Sequence, residues 1–434
     1  MSAEEDRTGT RERTAPGPVT PPRAERARGR AAVIVVGGKL KIVRKARELG
    51  LDVVYLQRPD SYTAEHAPYV DAALLVDYTD ERLSVELARA VAGSFPVRHA
   101  VSLTEDGLTV AGRITDALGL PGTPASVARR CLDKELMRRH LASTGVTAGA
   151  VAAEPFDGPD GLHRFGAAHG WPVIVKPADY SASVGVLLVE GPGQVDAACR
   201  QVRDWQASDV PPFHRVGRFV QEEFVTGPEV SVETFSTGGR HVVLAVTEKL
   251  LAPEGFVELG HATPARLDPA VTAAVHRATA AALDGLGLRD GPSHTEFRLP
   301  GGVPRLIETH NRVGGDRIHD LVEATCGVDQ DRLWLGSPTG LLAPLTAAPP
   351  VTRAAATRFI TAEPGTVVAV EGLDAVRLHP AVLAADLTVA VGDQVRELRT
   401  SWDRLGQVVV TAPTTDQAVA LAADLAARVH VVTR

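Results

Sequence analysis

A chain of 434 residues exceeds the roughly 100–200 residues of one ordinary domain and points to about two to four. Its 44% hydrophobic and 23% charged residues exclude global disorder, and a net charge of −7 excludes a general nucleic-acid binder, which needs a basic footprint to neutralise phosphates. The 46 basic residues divide into 40 Arg and only six Lys, at positions 39, 41, 45, 134, 176 and 249.

Three scattered cysteines, Cys131, Cys199 and Cys326, form no CxxC pair. They indicate neither a disulfide framework nor a structural zinc site and read as small core residues. No apolar run approaches the roughly 18 residues of a membrane span. Residues 1–30 hold seven Arg and five acidic residues with no apolar centre, so they read as a disordered extension rather than a signal peptide, and the expected location is cytoplasmic. Without them the net charge is −9, from 39 basic and 48 acidic residues.

Order is expected to begin at Ala31–Gly38, a β-branched run ending in a glycine pair. Helical spacing from Leu40 to Leu49 stops at Gly50, and Asp52–Leu56 reads as a second strand, completing a βαβ unit. Strands at Ala72–Val76 and His99–Leu103, with helices at about 80–92 and 106–118, extend an open parallel sheet. The breaker cluster at 118–124 marks a boundary, after which 125–144 is helical and charged.

The period then changes. Pro172–Pro177, Gly185–Val189, Arg218–Glu222 and Val230–Phe235 read as short strands between turns, followed by strands near 241–249, 293–299 and 303–309 and a helix at about 268–285. This pattern implies an antiparallel α+β unit. The last 85 residues alternate short strands and Gly-rich turns, ending in a helix near 416–427 and the strand Val429–Thr433. There is no internal repeat.

Lys176, at the end of a buried strand, is costly unless an anion lies close, and Ser181, Ser183, Val184 and Gly185 after it leave room for backbone N–H groups to converge on phosphate oxygens. A lysine snorkelling beside a surface hairpin fits the same residues. Glu222, Glu223, Phe224 and Val225 form an apolar strand edge able to meet an adenine rim, and Glu229 offers a carboxylate to ribose hydroxyls; a solvated acidic turn is the alternative. Glu296 and Glu308 lie on two strands joined by the Pro300–Pro304 turn, which places the carboxylates side by side. Such like charges repel unless a cation bridges them, and hard oxygen ligands favour Mg²⁺. Arg312 stands four residues on, able to clamp a phosphoryl group or an acyl oxyanion.

In this order, Asp133-Lys134, Lys176-Pro177 with Ser183–Gly185, Glu222–Glu229, Thr295–Phe297 and Ile307–Arg312 resemble the ATP-grasp superfamily from about residue 31 to the end. The resemblance implies a three-part α/β and α+β architecture: a Rossmann-like preATP-grasp domain over 31–122, an ATP-grasp domain over 123–340 with a small lid at about 145–225, and a strand-rich region at 341–434 completing the fold. It implies ATP as co-substrate, Lys134 and Lys176 on its phosphates, the 181–186 loop covering them, Glu222–Val225 along adenine and Glu229 on ribose. Glu296 and Glu308 would hold two Mg²⁺, with Mn²⁺ as a substitute. Where the family usually has E-x-N-x-R, the middle position here is His310, with Asn311 beside it, so either side chain is a candidate to complete the metal shell.

Thr247–Lys249, Phe256–Pro264 and the Gly314-Gly315 pair resemble more narrowly the L-amino acid ligase branch, which joins an amino-acid carboxylate to an amine through an acyl phosphate. On that likeness Arg312, Lys249, His261 and Glu258 face the reacting groups, while Gly314, Gly315 and Asp316 border the substrate. A structural role for His261 stays open. The Asp316 carboxylate is expected to favour a cationic amino or guanidino group of the substrate over a bulky apolar side chain. Amino-acid or amine substrates, no nucleic acid or membrane partner, and a homodimer complete the expectation. A biotin-carboxylase-like enzyme and a non-catalytic ATP-binding regulator are the rivals.

Overall fold

A computed structural model describes residues 30–147, 149–207, 217–252 and 256–434; the expected tail lies outside them but for Arg30. Strands Ala72–Leu75, Asp52–Gln57, Ala32–Val36 and Val97–Val101 form, in that order, an all-parallel sheet. Its central strands are buried on both faces, as their unbroken β-branched runs require. The last strand begins and ends two residues earlier than its sequence suggests, because Ser102 turns to accept from the Thr104 amide and opens the helix Glu105–Leu118.

The expected helix at 125–144 is two, Ala125–Leu132 and Lys134–Ser143. They break at Asp133, whose carboxylate accepts from the Leu136 amide and starts the second helix, as a short acceptor at a helix start should. A small antiparallel sheet follows, in the order Ala153–Pro155, Phe219–Glu223, Val173–Pro177, Leu187–Val189. Helices Pro159–His169 and Val195–Ala207 cover one face around Leu162, Phe165, Val173, Val175 and Val202.

The large sheet has eight antiparallel strands: Arg305–His310, Gly291–Arg298, Glu229–Thr237, Arg240–Leu251, Glu258–Thr263, Ala354–Ile360, Gly406–Ala412 and Val382–Leu387. Its last three strands come from the C-terminal region, which thus extends the same hydrogen-bonded surface. One face packs Val230, Val232, Val246, Phe297 and Leu306 against the helix Pro269–Leu286. A three-stranded sheet, Gln394–Val395, Gly365–Glu371 and His430–Thr433, closes the chain. The three cysteines are buried and free. Among the described residues no helix is long and apolar enough to cross a membrane. The whole is an α/β and α+β assembly of four sheets among the described residues.

Candidate active site

The second face of the large sheet is polar because side chains alternate along each strand. Glu296 pairs in register with Glu308, and His294 with His310, so these four side chains share that face. A bulge between Glu296 and Phe297 inserts Ile307 as an extra residue on the partner strand. Leu306 can therefore enter the core while Glu308, two residues on, faces outward. Lys249 pairs with His261 on the neighbouring strands.

This face is the floor of a cleft of about 280 Å³, roofed by the small sheet and bordered by segments 180–184 and 401–404. All the site residues expected from sequence line it except Gly185, Gly314 and His310. Gly185 lies behind the loop against Pro177, where a Cβ would come within 3.0 Å of the proline ring. Gly314 is wedged beneath the floor, where a Cβ would meet Glu233 and His294 at 3.0 Å. His310 is buried, with Nε2 3.1 Å from Glu308. Asn311 points the other way, into a second, minute cavity beside Ala100 and Trp334. Of the two candidates, His310 is thus the one beside the carboxylate pair.

Cations and carboxylates interlock across the cleft. Lys134 Nζ lies 2.8 Å from Glu308 and donates to the Tyr180 carbonyl at 2.7 Å. Burial opposes its charged form, but Glu308 raises its pKa overall. Glu308 is correspondingly held well below the usual carboxylate range: burial works against this, and Lys134 and His310 overcome it. Lys176 Nζ is 2.7 Å from Glu222, which also accepts from Arg138 at 3.1 Å. Burial, then Lys134 and Arg138, push Lys176 below the ordinary lysine value despite Glu222.

Lys249 occupies the middle of a third cluster, paired with Glu296 and lying 3.2 Å from Glu258 and 3.5 Å from Glu229. These three carboxylates present oxygens within 4.8 Å of one another, a spacing that could hold a metal ion, and here the ammonium lies among them. Against the cost of burial they raise the Lys249 pKa well above normal. Glu229 is pushed upward by burial and by Glu296, which outweigh Lys249 and Arg298.

Glu105, His294, Arg298 and Arg404 join the site without having been among the residues expected from sequence. Glu105, at the start of its helix, pairs with Arg312 and accepts from Ser181 Oγ at 2.9 Å. Burial notwithstanding, Arg312 and His310 hold Glu105 at about 2. His294 bridges Glu233 at 2.8 Å and Glu296 at 3.0 Å; although burial disfavours its charged form, these carboxylates raise it to about 9. Arg298, two residues from Glu296 and on the same face, donates to Glu229 at 3.0 Å and to the Val225 carbonyl at 3.1 Å. That spacing was the one available clue. Glu223 pairs with Arg305, and Phe224 and Phe256 flank Arg298. Ser183 Oγ donates to the Phe256 carbonyl, and Val184 is buried at the base of the loop. Arg404, from the C-terminal region, donates to both oxygens of Asp316, which also lies 3.2 Å from His261 Nε2.

Comparison with known proteins gives the same picture. Residues 43–122 match the ATP-grasp N-terminal domain, 169–320 the ATP-grasp domain and 358–434 the L-amino acid ligase C-terminal domain 2. Human carnosine synthase 1 is 28% identical over 68% of this chain, and alanine–anticapsin ligase of Bacillus subtilis 27% over 64%. The matches span 38% and 60% of those proteins, less than two thirds of either. The crystal structure of an L-amino acid ligase from Bacillus licheniformis shares the fold, with a TM-score of 0.77 at 23% identity over 93% of this chain and 99% of that one. A phosphoribosylglycinamide synthetase from Anaerococcus prevotii superposes with a TM-score of 0.68 at 16% identity over 93% of this chain and its entire length. The chain thus carries ATP-grasp domains over residues 43–122 and 169–320 and resembles the L-amino acid ligase branch of that superfamily.

Proposed function

We propose that this protein is an ATP-dependent carboxylate–amine ligase acting on amino acids in the cytoplasm. The observation that carries this reading is the registered Glu296–Glu308 pair, ringed by Lys134, Lys249 and Arg312 in one cleft. Binding a nucleotide alone does not call for so dense an array of opposed charges. The match of residues 358–434 supports a ligase over a carboxylase.

The donor set fits Mg²⁺: two hard carboxylates on adjacent strands, each already paired with an ammonium group. Glu296 and Glu308 would hold the ion, with His310 beside them; when bound, it neutralises phosphate oxygens. Lys134 and Lys176 supply point charges to the phosphates, and the Ser181–Gly185 loop covers them with backbone amides. Because the Glu222 carboxylate is engaged by Lys176 and Arg138, adenine recognition on that edge falls to the main chain of 223–225, with Glu229 next to the ribose.

In the first step a substrate carboxylate oxygen attacks the γ-phosphorus and ADP leaves, giving an acyl phosphate. In the second, an amine nitrogen attacks the acyl carbon, phosphate leaves with its electron pair, and the nitrogen gives up a proton as the amide forms. Arg312 stabilises the charge that develops on oxygen, and Lys249, Glu258 and His261 orient the substrates beside Gly314–Asp316. The test is a phosphate-release screen over pairs of amino acids, with mass spectrometry of the products. ADP, phosphate and an amide are expected; AMP with pyrophosphate, or turnover driven by bicarbonate alone, would overturn the reading. Glu308→Ala should lower release by at least about a thousandfold if Glu308 holds the ion that neutralises the transferring group.

A further inference from the structure

Asp316, which in isolation favours a cationic substrate, is not available as a bare charge. Arg404 Nη1 and Nη2 each donate to one of its oxygens at 2.8 Å, a planar bidentate pair. The guanidinium is held from three further sides. Nε donates to the Ser401 carbonyl at 2.7 Å, Nη1 also reaches the Glu258 carbonyl at 3.3 Å, and the group lies 3.7 Å from the centre of the Phe359 ring. The Arg404 side chain is only 8% exposed yet borders the cleft, so the pair is part of the cleft wall rather than a surface contact.

Asp316 itself adopts φ 50° without being glycine, a conformation that costs about 1 kcal/mol or more and persists only where neighbours hold it. The same C-terminal segment brings Trp402, 48% exposed, to within 6.2 Å of the Tyr180 ring, and Ile318 lines the wall next to Asp316.

The chemistry of this corner follows from charge balance. A lysine or arginine side chain entering it would have to displace a guanidinium that already makes two parallel hydrogen bonds. An aspartate or glutamate would meet a cation already neutralised, beside the carboxylate of Glu258. An uncharged side chain meets Trp402, Tyr180 and Ile318 and disturbs no ion pair.

We infer that the corner walled by Asp316, Arg404 and Trp402 admits a substrate with an uncharged, mainly apolar side chain, and that Arg404 determines this specificity by neutralising Asp316. This inference rests on the ligase reading for its substrates, but its test can be separated from it.

Full-length protein with ATP and Mg²⁺ is offered all pairs of the standard amino acids, and phosphate release is ranked by side-chain charge. In the wild type, pairs of neutral amino acids should lead. Arg404→Met keeps the packing on Phe359 and uncovers Asp316, so use of lysine and arginine relative to leucine should rise by about tenfold or more. Asp316→Asn uncovers Arg404 and should shift the ranking toward glutamate and aspartate. A wild type whose best pair requires a charged side chain overturns the inference. So do ranking ratios in both variants within about twofold of wild type, given a wild-type thermal shift with ATP. Should neither variant fold, the wild-type ranking alone decides. If the wild type releases no phosphate with any pair, the ligase reading falls and the corner is judged by thermal shifts with ATP and single amino acids. Stabilisation by neutral ones then sustains the inference, and stabilisation by charged ones, or by none, refutes it.

Discussion

Glu222 is only 2% exposed, and its carboxylate is shared between Arg138 and Lys176. Burial alone would raise its pKa from 4.5; Arg138 and Lys176 instead hold it at about 2. A depressed carboxylate stabilises the folded state above its unfolded pKa and loses that contribution as pH falls. Here about 3 kcal/mol, present above about pH 4.5, is lost progressively toward pH 2. Arg138→Met removes one partner of a buried charge and should cost about 3 kcal/mol at pH 7. It should also flatten the loss of stability below pH 4.5, both read from urea midpoints across pH. An unchanged midpoint at pH 7 would refute this account of Glu222. At this scale legibility was uneven. Glu296 and Glu308 were readable because a short turn sets their spacing, Lys176 because a buried strand ends on it, and Lys134 only through the Asp133-Lys134 pair of the family resemblance. Arg404 was not, since one arginine among 40 carries no signal and its partner lies 88 positions away. Glu105 follows Thr104 at a helix start, where an acidic residue is explained by the helix dipole alone. Nothing local says that its carboxylate meets Arg312, 207 positions on.

The elements obey local rules where those rules act alone. Alternating or β-branched runs flanked by turns became strands within a few residues of their expected bounds. Helices Pro159–His169 and Val195–Ala207 were not anticipated. The first contains Gly161 and Gly166, which lower helix propensity, yet Gly166 is needed because the Trp171 ring occupies the space where a Cβ would stand, 2.2 Å away. Tertiary packing there outweighs propensity. A similar close approach joins the helix that carries Glu105 to its neighbour. Gly112 faces the start of the helix Ala125–Leu132, and a Cβ would lie 2.7 Å from the Ala125 backbone. Backbone cannot rotate away as a side chain can. Gly112→Ala should therefore separate the two helices, cost about 1–3 kcal/mol and lower the melting temperature by several degrees. The displaced helix should also shift Glu105 and reduce phosphate release. Wild-type melting with wild-type turnover would show that this crossing has slack.

Across the whole molecule, the parallel sheet and the large sheet share a single core in which Val33, Val35 and Tyr55 meet Phe235, Leu244 and Trp334. Lys45 reinforces it with contacts to Asp329 at 2.7 Å and the buried Asp331 at 2.9 Å, and Lys41 approaches Asp331 at 3.4 Å. The small sheet has a separate core and reaches the rest through polar contacts such as Ser181 with Glu105. Opening at that boundary should cost less than unfolding either body. Hydrogen exchange should thus slow on adding ATP and Mg²⁺ mainly within 153–155, 173–177 and 219–223, while 32–57 and 235–244 change little. Equal protection of both regions would mean that the molecule responds as one rigid unit.

The ion pairs of the lysines have a practical corollary. Two lysines are tied to the helix that begins at Gln330, three are buried in the cleft, and Lys39 alone is exposed at the start of the helix Leu40–Glu48. With the other five lysine ammonium groups engaged, Lys39 is the lysine most open to an activated ester. A fluorophore attached at Lys39 would sit outside the cleft on the shared rigid core, a fixed reference point from which motion of the small sheet can be watched.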